Sequence, residues 1–137
     1  MSLNSLAAGD LRSWHGLPEG LTRADADREL GAAPRDHGGR FGGSTRVLRH
    51  HAPTPAAPAG VDVWFGGDVI VGVSYGPAVL PEPPDAQLGP PEAVVGERHV
   101  YTSRGLAVDI RRDGVVERVV AFAPSLAERF LSRPPGL

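Results

Sequence analysis

Apolar and polar positions alternate through residues 61–65, Val-Asp-Val-Trp-Phe, and an apolar run follows at 69–75 after the turn Gly66-Gly67-Asp68. Successive side chains on a strand point to opposite faces. This pattern therefore predicts a hairpin with Val61, Val63 and Phe65 on one face and Asp62 and Trp64 on the other. A second set lies at residues 99–124, where Ser103-Arg104-Gly105 and Arg112-Asp113-Gly114 separate three strand-forming runs in the manner of an antiparallel meander. In that meander Leu106, Val108 and Ile110 share one face, Asp109 and Arg111 the other, while His99 and Tyr101 share a face of the preceding strand. The adjacent polar residues Glu117 and Arg118 break the alternation, which predicts a β-bulge and a curved strand. Residues 45–51 read as a short first strand.

Helical signals are fewer. At residues 20–31, Thr22 is placed to cap a helix with Asp25 three positions on, Leu21, Ala26 and Leu30 can form a buried stripe, and Gly31 is placed as a left-handed stop. The prolines of residues 79–91 allow a second short helix only from about Pro83 or Pro84 onward. A third is expected at 125–131, with Ser125 and Glu128 as a capping box. Residues 1–16 read as a short helix or arm that packs Leu11 and Trp14. The Gly-rich stretch 32–43 reads as a mobile surface loop, and the Pro/Ala stretch 52–60 as an extended one.

Leu30-Gly31 and Leu88-Gly89 are 58 positions apart, and Tyr75-Gly76-Pro77 and Phe122-Ala123-Pro124 are 47 apart, as expected of a helix-then-strands unit written twice with shorter loops in its second copy. The expected fold is therefore α+β: an antiparallel curved sheet packed on short helices and built from two degenerate repeats. It forms a single domain over 1–137, with an arm or helix at 1–16, a first repeat at 17–78, a second at 79–124, and a C-terminal helix and tail at 125–137. Gly20-Leu21-Thr22 followed by Leu30-Gly31, with the later Asp113-Gly114-Val115-Val116 turn, resembles the repeat of the beta-lactamase inhibitory protein and of the related small outer-membrane assembly lipoproteins. That resemblance implies short helices against an antiparallel sheet, and a habit of binding other proteins. Pro83-Pro84-Asp85 replaces the Gly-hydrophobic-Thr entry in the second unit, and there is no cysteine for a lipid anchor or disulfides, so beta-lactamase inhibition is not carried over.

Composition narrows the function classes. All 14 basic residues are Arg, and the net charge of −2 offers no basic excess for nucleic acid or an anionic membrane surface. The absence of cysteine excludes disulfides, thiol chemistry and Cys-ligated zinc. No basic-then-apolar leader opens the chain and no run is long enough to span a bilayer, so a cytoplasmic location without membrane insertion is expected unless a signal precedes Met1.

Candidate chemistry is sparse. His15, His37, His50, His51 and His99 show no metal-ligand spacing, and adjacent His50 and His51 point to opposite faces of their strand. Neither a metal nor a cofactor is expected. Ser74, Ser103 and Ser125 lie near strand ends, none in a nucleophile elbow. The leading expectation is a non-enzymatic protein-binding module of the inhibitor, immunity or assembly type. It would present Trp64, Tyr101, Asp109 and Arg111 on an open sheet face to another protein or a second copy of the chain. The alternative is a small enzyme or ligand-binding domain with a pocket beside the Gly-rich loop, lined by His37, Arg40, His50 and His99.

Overall fold

The computed structural model describes residues 3–33 and 35–132, so the expected tail at 133–137 lies outside the described residues. Strands β1 (Asp36–Phe41), β2 (Ser44–His51), β3 (Val61–Gly66), β4 (Val69–Tyr75), β5 (Ala93–Val95), β6 (Arg98–Tyr101), β7 (Leu106–Ile110) and β8 (Val116–Phe122) form one antiparallel sheet. Its order is β1-β2-β3-β4-β8-β7-β6-β5. Helix α1 (Leu3–Ala7) opens the chain, α2 (Arg23–Leu30) precedes β1, α3 (Pro84–Leu88) precedes β5, and α4 (Ala127–Leu131) follows β8. This is an α+β fold of short helices on an antiparallel sheet, and each half is a helix followed by a four-stranded meander. The halves meet where their last strands pair, with Ser74 opposite Val120 and Tyr75 opposite Val119.

One face of the sheet carries the larger core. Val61, Val63, Phe65, Val73, Tyr75, Leu106, Val108, Val119 and Ala121 are buried there beneath Leu3, Leu6, Leu11, Trp14 and Ala26 of the N-terminal segment and α2. Residues 3–17 are thus a packed layer. The Tyr75 hydroxyl donates to the Leu6 carbonyl at 2.7 Å, and burial raises its pKa above the ordinary phenol value. Gln87 of α3 ties the same layer down. Its Oε1 accepts from the Leu11 and Arg12 amides at 2.7 and 3.2 Å, and its Nε2 donates to the Gly9 and Glu82 carbonyls at 3.0 and 2.9 Å.

Helix α2 begins as expected: the Thr22 amide and hydroxyl donate to the Asp25 carboxylate at 2.8 and 3.1 Å. Arg49 then holds it to the sheet through Asp27 at 3.1 Å. Gly31 has the positive φ of 83° that a stop requires, but its ψ of 160° is extended, so the chain leaves straight toward β1 and does not curl into a left-handed cap. The C-terminal element is also shorter than expected. A 3-10 turn occupies Pro124–Leu126, α4 starts only at Ala127, and no side-chain cap forms, so the Ser125/Glu128 box is absent.

The stretch expected as a mobile loop is the strand β1. Gly42 and Gly43, at φ of 61° and 83°, make the two-residue hairpin turn. Phe41 is fully buried and anchors the strand's end. The expected bulge is present: Asp109 faces Arg118 while Ile110 faces Val116, leaving Glu117 as the extra residue. A Cβ at Gly76 would lie 1.9 Å from the Glu117 carbonyl oxygen, so the bulge packs directly on glycine backbone. A second bulge leaves Val71 extra in β4.

Candidate functional site

Residues opposite one another in an antiparallel pair share a face, so the register assigns side chains to the sheet's second face. One end of this face holds an aromatic cluster beneath α4. Phe41 stacks on Trp64 at 5.2 Å, and Phe130 of α4 stacks on Phe122 at 4.5 Å. Missing Cβ atoms make room for these rings: one on Gly72 would sit 2.1 Å from Phe41, and one on Gly39 2.8 Å from Trp64.

Beside the cluster the face turns polar. His50, Asp62 and Ser74 stand in one row across β2, β3 and β4. His50 Nδ1 lies 2.5 Å from Asp62 Oδ1, and the buried Trp64 indole N–H donates to Ser74 Oγ at 2.9 Å. In the next row Arg118, Asp109 and Arg98 face one another across β8, β7 and β6. Arg98 Nε donates to Asp109 at 2.9 Å, its guanidinium lies over the Phe130 ring, and its Nη1 has no partner among the described residues. Arg118 is half-buried and has no hydrogen-bond or ionic partner among the described residues. With Asp62, Trp64, Ser74, Tyr75 and Gly76 it lines a cleft of about 250 Å³.

The order Ser74, Asp62, His50 argues against nucleophilic catalysis. The carboxylate separates serine from histidine, whose backbones are two strand spacings, or about 10 Å, apart. A relay needs the base between nucleophile and acid. Among the described residues no group of three or more His, Asp or Glu is arranged to hold a metal ion, and no helix is long and apolar enough to cross a membrane.

The residues expected to form an exposed patch do not do so. Trp64 is 4% exposed on the second face and Tyr101 is 3% exposed on the opposite one. The Tyr101 hydroxyl donates to the Gly89 carbonyl at 3.3 Å, and burial raises its pKa, with Asp85 adding to the effect. Asp109 is on the second face but engaged by Arg98. Arg111 lies past the end of β7 and pairs with Asp113, which raises the arginine's pKa and lowers the aspartate's.

The alternative pocket is dispersed too. His37 and His50 are exposed on the second face, whereas Arg40 is on the helix side, donating to the Gly43 carbonyl at 3.0 Å. His99 is also on the helix side, on β6, five strands from β2. These four side chains share no cleft. What the expected sets omitted is Arg118, Arg98 and the pairing of Asp62 with His50. The turn at residues 102–105 already contained part of that information: pairing Tyr101 with Leu106 puts Arg98 opposite Asp109.

No protein-family profile matches the chain, and no curated protein matches it. Among solved structures, the crystal structure of YjgB, a DUF4309 family protein from Bacillus subtilis subsp. subtilis strain 168, is similar in fold. It superposes with a TM-score of 0.54 at 18% identity, over 88% of this chain and 97% of YjgB. That likeness speaks to the fold alone.

Proposed function

We propose that this chain is a non-enzymatic protein-binding module that meets its partner with the uncovered part of the second sheet face. The observation that carries the reading is Arg118, a half-buried guanidinium without a partner among the described residues, in a cleft beside Asp62, Trp64 and Ser74. Its carboxylate neighbours are committed elsewhere, Asp62 to His50 and Asp109 to Arg98. Desolvating a guanidinium without a counter-charge costs free energy, and a partner's carboxylate or carbonyl oxygens would offset that cost with charge-assisted bonds. Arginine set beside an aromatic floor is also the composition of interface hot spots. The same reading takes the two helix-plus-meander halves as copies of one unit, which agrees with the implied kinship to inhibitory and assembly proteins that bind through a sheet.

The test is retention of proteins from an extract of the source cells on the immobilised chain. A partner should be held by the wild type and by an Arg112→Glu control in the exposed β7–β8 turn, and lost by Arg118→Glu and by Asp62→Arg. A partner held equally by all four chains would sink this reading.

A further inference from the structure

The sheet has two outer strands, and they are not equivalent. Strand β5 is only three residues long and follows Pro90-Pro91. Strand β1 is six residues long, and among the described residues no backbone hydrogen bond outside the β1–β2 ladder reaches residues 36–41. A strand edge of that length presents unpaired N–H and C=O groups to any chain that can align with it.

Its hairpin determines which groups those are. In a two-residue turn the flanking residues, here Phe41 and Ser44, exchange both backbone bonds, and bonded and non-bonded pairs alternate from there. Phe41, Gly39 and His37 therefore bond inward to β2. Asp36, Gly38 and Arg40 point their N–H and C=O groups outward, and their side-chain positions belong to the helix side of the sheet.

We propose that β1 pairs antiparallel with β1 of a second copy of this chain about a two-fold axis through Gly38, extending the sheet across the dimer. In this register Gly38 meets Gly38, and Asp36 meets Arg40 twice, each a bonded backbone pair. The opposite charges stand on one face of the sheet, at directly opposed positions where such pairs stabilise. Asp36 is half-exposed and meets Arg23 and Arg49 of its own chain through Oδ1 alone, at 2.6 and 3.5 Å, while Arg40 is exposed and has no carboxylate partner among the described residues. Moving the axis to Gly39 keeps backbone bonds available but places Arg40 against Gly38, so charge selects the Gly38 register. On the other face His37 meets Gly39, where no side chain obstructs it. A single strand pair buries less surface than a standard stable interface, so association is concentration-dependent.

Sedimentation of the whole chain from about 1 µM to about 1 mM tests this. The wild type should pass from monomer to dimer. Gly38→Pro removes an outward N–H and no inward bond, and should remain monomeric with an unchanged thermal midpoint. Arg40→Asp sets carboxylate against carboxylate twice and should raise the dissociation constant about tenfold. The double variant Asp36→Arg/Arg40→Asp should bring it back. A wild type that stays monomeric at every concentration overturns the proposal, and so does a dimer that survives both Gly38→Pro and Arg40→Asp.

Discussion

The sheet's two faces are buried by different means. On the helix side a continuous apolar layer from β3, β4, β7 and β8 meets a matching one from the N-terminal segment and the helices; Gln87 and Tyr75 tie down backbone groups within it, while the Trp14 indole nitrogen is buried there without a partner among the described residues. On the second side the only lid among the described helices is α4, five residues long. Its Phe130 closes an aromatic cluster at one end, beyond which Arg118 opens on a cleft beside Asp62 and Ser74. The first arrangement supplies stability. The second leaves the Arg118 guanidinium, which the fold does not consume, and that is where a partner gains most.

Substitution on the helix side should produce the largest loss. Leu106 is fully buried at the centre of that layer. Leu106→Ala removes its methyl groups and leaves a cavity, so urea unfolding should show a loss of about 2–5 kcal/mol. A loss under about 1 kcal/mol would mean the helix layer is loosely packed, and the contrast between faces would collapse.

Next comes Gln87→Ala, which strands the Leu11 amide and the Gly9 carbonyl in a buried setting. A cost of about 1–3 kcal/mol per stranded group is expected from unfolding curves. Hydrogen exchange should also quicken at Leu11 and Arg12 before it does in the central strands, because residues 3–17 would detach from α3 first.

These two residues also mark what could be read in advance. Leu106 belongs to a period-two run, and such runs put Val61, Val63, Phe65, Leu106 and Val108 on the correct face. The bulge at Glu117 followed from a break in the same pattern. Gln87 carried no such signal, since three of its four partners are backbone groups 75 to 78 positions away. Strand β1 was hidden for a related reason: Gly38 and Gly39 have no side chains with which to alternate, and the smallness of Gly39 serves the ring of Trp64 and the side chain of Leu48 across the sheet. Trp64 was assigned to the right face but not to the right environment, because its cover comes from Phe41 and a five-residue helix whose docking no local pattern records. Tyr101 was assigned to the wrong face, since the strand alternation of β6 could not be phased until its register with β7 was known.

A smaller effect is expected at the start of α2. Hydrogen bonds from the Thr22 backbone, then from Arg28 and the Thr22 hydroxyl, hold the Asp25 pKa below its ordinary 3.8. A carboxylate with a depressed folded pKa contributes stability that is complete above its unfolded pKa and is lost as pH falls through the folded one. The gap in thermal midpoint between wild type and Asp25→Asn should therefore be constant above about pH 5 and close as pH drops below 3.8. A gap that widens on acidification would show that the cap does not depend on the ionised carboxylate. Because Asp25 lies at the surface and α2 shields only part of the helix face, this change should leave the core strands' exchange rates untouched.

The smallest change in stability should come from Arg118→Ala, and that is what makes it informative. Arg118 sits in the central strand β8, between Asp109 on β7 and the cleft over Asp62 and Ser74, a position where most side chains are tied into the fold. Its guanidinium makes no hydrogen bond or ion pair with the described residues, so truncation removes no polar interaction among them and relieves a partly desolvated charge. Urea unfolding should place the variant within about 0.5 kcal/mol of wild type, with either sign possible. A loss well beyond that would make Arg118 a packing residue of the second face, and the division between a stabilising side and a binding side would no longer run through it. A negligible loss together with abolished partner retention would locate the cost of binding in a residue the fold itself does not need.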